Sequence, residues 1–264
     1  MKMLLKIVGA IVGVIVALIA VLAATIFFTL KPNIPEQSFE LAKPQILGDK
    51  HVIVFGATGS LGIEIVQDLV ARGDKVTAFV RSSSDRSAIE LPGVDFAVGD
   101  VMDYPSIVAA FRGGEFDAAI ATIGAAREAN VDYQGNANIF SAAREAGVSR
   151  VIMISTIGAG DSHDATPMIS RIALSNVLPQ KTRAEEDLRA SGLEYTILRP
   201  GGLPPGIVGT GGGMLSEDVT TMGFIKRPDL ARIVVGALDD DRTIGKTFAV
   251  IDPSIPRPWA GLDP

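Results

Sequence analysis

The sequence feature that most restricts the fold is a buried strand that leads directly into a glycine turn and a helix. Residues 52–55 form a continuous apolar run, which predicts a strand covered on both faces. The turn at residues 56–62 reads G-A-T-G-S-L-G, and apolar residues then recur at helical spacing from Leu61 to Val70. This order is typical of the first crossover in a parallel α/β sheet.

Strand and helix patterns continue to alternate along most of the chain. Six further strands are predicted at residues 75–80, 94–98, 117–121, 150–154, 194–198 and 246–251. A long helix is predicted around Ile139, between the fourth and fifth strands of the whole series. Such alternation implies right-handed crossovers, with helices on both faces of the sheet. We therefore predict a single doubly wound α/β domain of the Rossmann type within residues 50–264.

The glycine turn at residues 56–62 predicts a phosphate site. Gly56 permits the tight turn, Gly59 lets a phosphate approach the backbone, and Gly62 permits close packing of helix on strand. The helix that follows offers backbone N–H groups and a partial positive charge to a pyrophosphate. We predict dinucleotide binding here, with contacts from Gly56, Thr58, Gly59, Ser60, Leu61 and Gly62.

The end of the second predicted strand distinguishes between two nicotinamide cofactors. An acidic residue at this position would accept the ribose 2′-hydroxyl of NAD(H). The chain instead has Arg81, followed by Ser82 and two further serines, although Asp85 comes soon after. Because a guanidinium can pair bidentately with a 2′-phosphate, NADP(H) is predicted as the preferred cofactor, with NAD(H) as the alternative.

The N-terminal region predicts a membrane anchor. Residues 7–30 include no charged side chain and lie between Lys6 and Lys31. As a helix, this run would span about 36 Å, enough for a bilayer core of about 30 Å. A cleaved signal peptide is the alternative, but its apolar stretch would be shorter. Residues 31–49 include three prolines and read as a linker.

This anchor reading carries further expectations about partners and location. Gly9 and Gly13 form a Gly-x-x-x-Gly step, which lets membrane helices approach closely in a homodimer or with a membrane-protein partner. The lysines that flank residues 7–30 are almost balanced, so they do not establish the orientation. Because NADP(H) is a cytosolic metabolite, we predict a single-pass protein in the lipid bilayer with its domain in the cytoplasm.

Composition excludes several other chemistries. The chain has no cysteine, so disulfides, thiolate catalysis and cysteine-ligated metal sites are ruled out. His51 and His163 are its two histidines, too few for a histidine-rich metal centre, and no metal is expected. A net charge of −6 without a basic patch argues against nucleic acid as a partner.

Several motifs in a fixed order resemble the atypical short-chain dehydrogenase/reductases of the NmrA-like, NAD(P)H-binding group. The matching features extend over about three quarters of the chain and include, besides the turn at 56–62, Gly99-Asp100, residues 135–138, 146–151 and 155–158, and the run 195–202. The resemblance implies a cofactor site that adds Asp100 and Val101 near the adenine, Thr122, Ile123 and Gly124 along the cofactor, and Ser155, Lys181, Pro200, Gly201 and Gly202 near the nicotinamide.

One departure from the wider superfamily puts catalysis in question. Those reductases combine a serine after the fifth strand with Tyr-x-x-x-Lys, in which the lysine helps the tyrosine exchange a proton with the substrate. Ser155 and Lys181 are candidate catalytic residues here, but Val177 occupies the tyrosine position. Tyr133 is the one tyrosine that we place near the nicotinamide, and His163 is a second candidate proton donor.

Two functions follow from these residues. The first is a membrane-tethered NADP(H)-dependent reductase of a hydrophobic acceptor, such as a quinone- or flavin-like molecule that does not need the tyrosine. The second is a catalytically silent NADP(H)-binding protein, either a redox sensor or an accessory or assembly subunit of a membrane complex. Val177 favours the second, whereas the cofactor motifs suit both.

Overall fold

The computed structural model describes residues 14–18, 21, 33–41, 48–124, 130–206 and 208–255. Within these ranges, eight strands form one sheet: β1 His51–Phe55, β2 Lys75–Val80, β3 Val94–Val98, β4 Ala118–Ala121, β5 Arg150–Ile154, β6 Glu194–Pro200, β7 Met214–Ser216 and β8 Lys246–Ile251. The seven predicted strands are all present. The short strand β7 was not predicted.

Helices connect these strands and cover both faces of the sheet. After residue 48 the described chain includes α1 Ser60–Arg72, α2 Tyr104–Arg112, α3 Asn136–Glu145, α4 Met168–Ala173, α5 Leu178–Ala190 and α6 Arg227–Leu238. The helix predicted around Ile139 is interrupted at its start, because Val131–Gly135 form a turn of π-helix before α3 begins.

The sheet has the order β3-β2-β1-β4-β5-β6-β8-β7. All neighbours pair in parallel except β7, which runs antiparallel to β8 at one edge. The chain reverses its direction of winding between β1 and β4, which is where doubly wound sheets bind ligands. The prediction of a single Rossmann-type α/β domain is confirmed.

Strand β1 shows how the sheet is buried from both sides. Val52 and Val54 contact the apolar cluster under α1 and α6, whereas Ile53 and Phe55 contact the cluster under α2, α3 and α5. All four side chains are fully buried. Because successive side chains in a strand point to opposite faces, a continuous apolar run is needed here, as the sequence predicted.

The structure contradicts the prediction of a single-pass membrane protein with a cytoplasmic domain, and that prediction is wrong. Within the described ranges, no helix is both long and apolar enough to cross a membrane. Residues 14–18, within the predicted span, are helical. The rest of the predicted span, apart from Val21, lies outside the described residues, as do Gly9 and Gly13.

Part of the predicted linker packs on the edge of the sheet. Asn33 forms an antiparallel bridge with Met222, and Phe39 forms another with Leu215 in β7. The Phe39 ring also lies 4.9 Å from the ring of Phe248 in β8, measured between centroids. We call residues 33–41 the N-terminal strap, because they run along this edge.

Candidate functional site

The glycine turn between β1 and α1 has the geometry that its sequence predicts. Gly56 has a φ of +81°, and a Cβ added there would lie 3.0 Å from the backbone of Thr122. A Cβ added to Gly62 would overlap the carbonyl oxygen of Gly56. Both glycines are therefore required for the turn to pack closely against its helix and the neighbouring strand.

Gly59 differs from the other two glycines because it leaves room above the turn. The nearest atom to a Cβ added at Gly59 is the carbonyl oxygen of Gly56, at 3.2 Å. Gly59 is also the N-cap of α1, and no side chain caps the helix. The first turn of α1 therefore presents its backbone N–H groups to the space beside Gly59, as an anion site requires.

A cavity of about 260 Å³ opens beside this turn, at the carboxyl ends of β1, β2 and β4. It collects side chains and backbone from separate loops: Gly56, Thr58, Gly59, Phe79, Val80, Arg81, Ser84, Asp100, Val101, Thr122, Ile123, Gly124 and Val131. The cavity thus brings together nine of the eighteen predicted cofactor residues. Ser84 lines it, whereas Ser82 does not appear among its lining residues.

These residues fit a dinucleotide. Gly59 provides a cradle that a side chain would fill, and Arg81 is an exposed cation at the end of β2. Asp100 is fixed at the end of β3, because its Oδ1 accepts a hydrogen bond of 2.8 Å from the backbone N–H of Met102. At one end of the cavity the lining therefore offers glycine backbone for phosphates. At the other end it offers charged or hydroxyl groups.

Ser155 is held by a buried ion pair next to β5. Its hydroxyl donates to Oε1 of Glu185 at 2.5 Å, and Nη2 of Arg199 donates to Oε2 of the same carboxylate at 2.6 Å. Desolvation would lower the pKa of Arg199, but its hydrogen bonds and opposite charges outweigh that effect and raise it. The hydroxyl proton of Ser155 is therefore committed to Glu185 in this conformation.

Lys181 is buried at the carboxyl ends of the neighbouring strands β4 and β5. Its Nζ donates to the carbonyl oxygens of Ile123 at 2.7 Å and Ile154 at 3.1 Å, and lies 3.1 Å from Oδ1 of Asp132. Burial lowers the pKa of this ammonium, and the charge of Asp132 offsets that effect in part. The lysine thus ties the ends of two neighbouring strands to α5. The roles of Ser155 and Lys181 in catalysis stay predictions.

Neither Tyr133 nor His163, the two candidate proton donors, lines the cavity beside the glycine turn. Val177 lies directly before α5, and the guanidinium carbon of Arg183 lies 3.9 Å from the centroid of the Tyr133 ring. Tyr104, another of the three tyrosines, donates to Glu145 at the end of α3, at 2.9 Å. His163 is half exposed, and its Nδ1 lies 3.1 Å from Asp164.

A second cavity, of about 150 Å³, lies at the carboxyl ends of β5 and β6. It is lined by Thr156, Ile157, Thr166, Ser170, Leu174, Pro200, Gly201, Gly202, Met222, Gly223 and Phe224. We call it the acceptor cavity. The predicted cofactor residues Pro200, Gly201 and Gly202 line this cavity and not the first one. Because β4, β5 and β6 are neighbours, both cavities open at the same edge of the sheet.

Thr156 is the site residue that our reasoning from the sequence missed. It lines the acceptor cavity, while its neighbour Ser155 turns toward Glu185. Thr156 Oγ1 donates to the carbonyl oxygen of Ile157 at 3.2 Å. The adjacent hydroxyl residues after β5 were a signal in the sequence, but the choice between them depends on which face each side chain meets.

The sheet order, the glycine turn at its switch point and the cavity above that turn define a dinucleotide-binding protein of the Rossmann class. The chain matches the NAD(P)H-binding family over residues 56–241 and belongs to that family. The resemblance drawn from the motifs is confirmed at this level.

The chain is similar to proteins with different descriptions. The uncharacterized sugar epimerase YhfK of Bacillus subtilis is 32% identical over 212 residues, which cover 78% of this chain and 95% of YhfK. The structure of ChuY from Escherichia coli O157:H7, described as an anaerobillin reductase, has 29% identity and a TM-score of 0.72, covering 78% of this chain and 99% of ChuY. The photosystem II assembly factor Ycf39 of Synechocystis is 24% identical over 80% of this chain and 64% of its own length.

Proposed function

We propose that this protein is an NADP(H)-dependent reductase of a small, uncharged, apolar acceptor. The observation that carries the proposal is the pair of cavities at neighbouring strand ends. One has glycine backbone, Arg81 and Asp100 suited to a dinucleotide, and the other is mainly apolar. An oxidoreductase needs such an arrangement, because cofactor and substrate must meet at one edge of the sheet.

The lining of the acceptor cavity indicates the chemistry of its substrate. Its named lining residues include no charged side chain, and its polar side chains are the hydroxyls of Thr156, Thr166 and Ser170. A charged molecule would lose its hydration there without an opposite charge to compensate. An uncharged, conjugated ring, as in a quinone, fits this lining better than a sugar or a carboxylate.

A quinone-like acceptor also agrees with the side chains that the site lacks. When bound, NADPH supplies a hydride, so the acceptor gains two electrons and one hydrogen, NADP⁺ remains, and a proton from solvent completes the reduced product. Thr156 places a hydroxyl at the acceptor cavity and can orient a ring oxygen. A tyrosine at the position of Val177 is not needed, because the reduced oxygen of a quinone takes its proton from water.

The test is a hydride-transfer assay with the full chain, NADPH and menadione as the acceptor. We expect oxidation of NADPH in a fixed ratio to menadione. Ser170→Trp fills the acceptor cavity and should raise the KM for menadione roughly 10-fold or more without changing NADPH affinity. Ser175→Trp is the matched control, because Ser175 lies outside that cavity and is exposed. Equal effects of the two variants would refute the cavity as the acceptor site.

A second candidate function is an NADP(H)-binding sensor or accessory subunit without catalysis. The hydroxyl of Ser155 is committed to Glu185, and Lys181 Nζ to backbone carbonyls and Asp132, which favours this alternative together with Val177. The similarity to the assembly factor Ycf39 supports it also. The same assay separates the two functions: a chain that binds NADPH but transfers no hydride to menadione or other quinones, flavins or aldehydes is the silent protein.

We further propose that NADPH binds more tightly than NADH. Arg81, at the end of β2, lines the cavity beside the glycine turn, which we call the nucleotide cavity. Arg81→Ala removes a charge-assisted contact to the 2′-phosphate, a loss of about 1.5–3 kcal/mol, or roughly 10- to 100-fold in affinity. Calorimetry should show this loss for NADPH and almost none for NADH. Arg86→Ala is the control. Arg86 lies in the same loop as Arg81, but its guanidinium carbon is 5.3 Å from the centroid of the Phe96 ring. Equal affinities of the unmutated chain for both cofactors would refute the preference.

A further inference from the structure

We propose that the N-terminal strap holds one wall of the acceptor cavity, and that Asn33 is the residue that positions this wall. The inference rests on the proposed function, because it concerns which acceptors the cavity admits. The strap precedes the region that matches the NAD(P)H-binding family, which begins at residue 56.

Asn33 is joined to the segment before α6 by main-chain and side-chain hydrogen bonds. Its backbone N–H donates to the carbonyl oxygen of Met222 at 2.8 Å, and the N–H of Met222 donates back at 2.9 Å. Its side-chain Nδ2 donates to the carbonyl oxygen of Thr220 at 2.8 Å and to the Thr220 hydroxyl at 2.9 Å. One residue of the strap thus binds Thr220 and Met222.

The segment that Asn33 binds faces the acceptor cavity. Met222, Gly223 and Phe224 all line it. The carbonyl oxygen of Gly223 accepts a hydrogen bond of 3.0 Å from the N–H of Gly202, which follows β6 and also lines the cavity. The wall is therefore tied to the domain on one side at Gly202, and to the strap on the other side at Asn33.

The other end of the strap is anchored on the sheet. The N–H of Phe39 donates to the carbonyl oxygen of Leu215 at 2.8 Å, and its ring packs on Phe248. The guanidinium of Arg242 lies 5.1 Å from the centroid of the Phe39 ring. Because this end is fixed by ring packing and by a backbone hydrogen bond, we infer that it anchors the strap from which Asn33 holds the wall.

A held wall keeps the acceptor cavity small and should select compact acceptors. The polar contacts of the Asn33 side chain are exposed, so their removal should loosen the wall without unfolding the domain. Asn33→Ala should therefore raise the KM for menadione roughly 10-fold, in line with the loss of two exposed hydrogen bonds. The kcat and the affinity for NADPH should stay unchanged, and the ratio of kcat/KM between menadione and the larger phenanthrenequinone should fall.

The experiment compares the full chain, Asn33→Ala and Gln37→Ala, the last being an exposed polar residue of the same strap. Hydrogen exchange measures the wall directly, and we expect faster exchange of the Met222 amide in Asn33→Ala, with unchanged exchange in β1 and in Gln37→Ala. Unchanged exchange at Met222, or a KM change that equals that of Gln37→Ala, would overturn the inference.

The failure of the proposed function would look different. If the unmutated chain reduces no quinone, the reductase proposal fails, while the exchange of Met222 still decides whether the strap holds the wall. If exchange at Met222 rises together with exchange throughout the domain, Asn33 is a general stabilising residue and the inference is refuted.

Discussion

Replacing Gly59 with valine is expected to abolish the binding of both NADPH and NADH while leaving the fold intact. The backbone of Gly59 has a φ of −73°, which valine adopts without strain, and the nearest atom to its added Cβ is 3.2 Å away. The valine methyls would instead occupy the space above the turn where the pyrophosphate approaches. We expect a loss of roughly 100-fold or more in affinity by calorimetry.

The matched control for this change is Gly113→Val. Gly113 also has an ordinary φ of −76°, and its added Cβ would also lie 3.2 Å from a backbone carbonyl oxygen, that of Ala110. It follows α2, away from the residues that line the nucleotide cavity. Circular dichroism should show both variants folded, and Gly113→Val should bind nucleotide as the unmutated chain does. A folded Gly59→Val protein with normal affinity would show that the phosphates bind elsewhere.

The largest effect on stability is expected from Glu185→Ala. Glu185 is fully buried and accepts hydrogen bonds from Ser155, Arg189 and Arg199. Without this carboxylate, the buried guanidinium of Arg199 would keep Asp161, whose side chain is 68% exposed, as its charged partner. Removing one member of a buried ion pair costs about 3–5 kcal/mol, which corresponds to a drop in Tm of roughly 10 °C in a chain of this size.

Glu186→Ala is the control for that measurement. Glu186 is the next residue of α5 and is exposed, so its removal should change the free energy of unfolding by less than about 0.5 kcal/mol. Denaturant unfolding of both variants gives the comparison. If Glu185→Ala is as stable as Glu186→Ala, the ion pair with Arg199 contributes no net stability.

The sheet was predictable because its signals are local. Each inner strand is buried on both faces, so it appears in the sequence as a short apolar run between turns. Strand β7 has three residues and lies at the edge of the sheet, where it pairs with β8. It is too short to appear in the sequence as such an apolar run. The bridges from Asn33 and Phe39 join residues nearly two hundred positions apart, and no periodic pattern records such contacts.

The nucleotide cavity was predictable for a similar reason. The three glycines of the turn act through their own backbones, and Arg81 and Asp100 follow strands whose ends must meet at one edge. The surroundings of Ser155 were not predictable, because Glu185 comes from α5 and Arg199 from β6. Which of Ser155 and Thr156 faces the acceptor cavity depends on side-chain direction at the end of β5, and a composition or spacing argument does not determine that.

Lys181 has a consequence for how the two halves of the site can change over evolutionary time. Its ammonium joins the carbonyl of Ile123, beside the nucleotide cavity, to the carbonyl of Ile154, just before the acceptor cavity. The two cavities are thereby linked through main-chain atoms and one cation, independently of the loops that line either cavity. We therefore expect substitutions that reshape the acceptor cavity to leave the position of the nucleotide cavity unchanged.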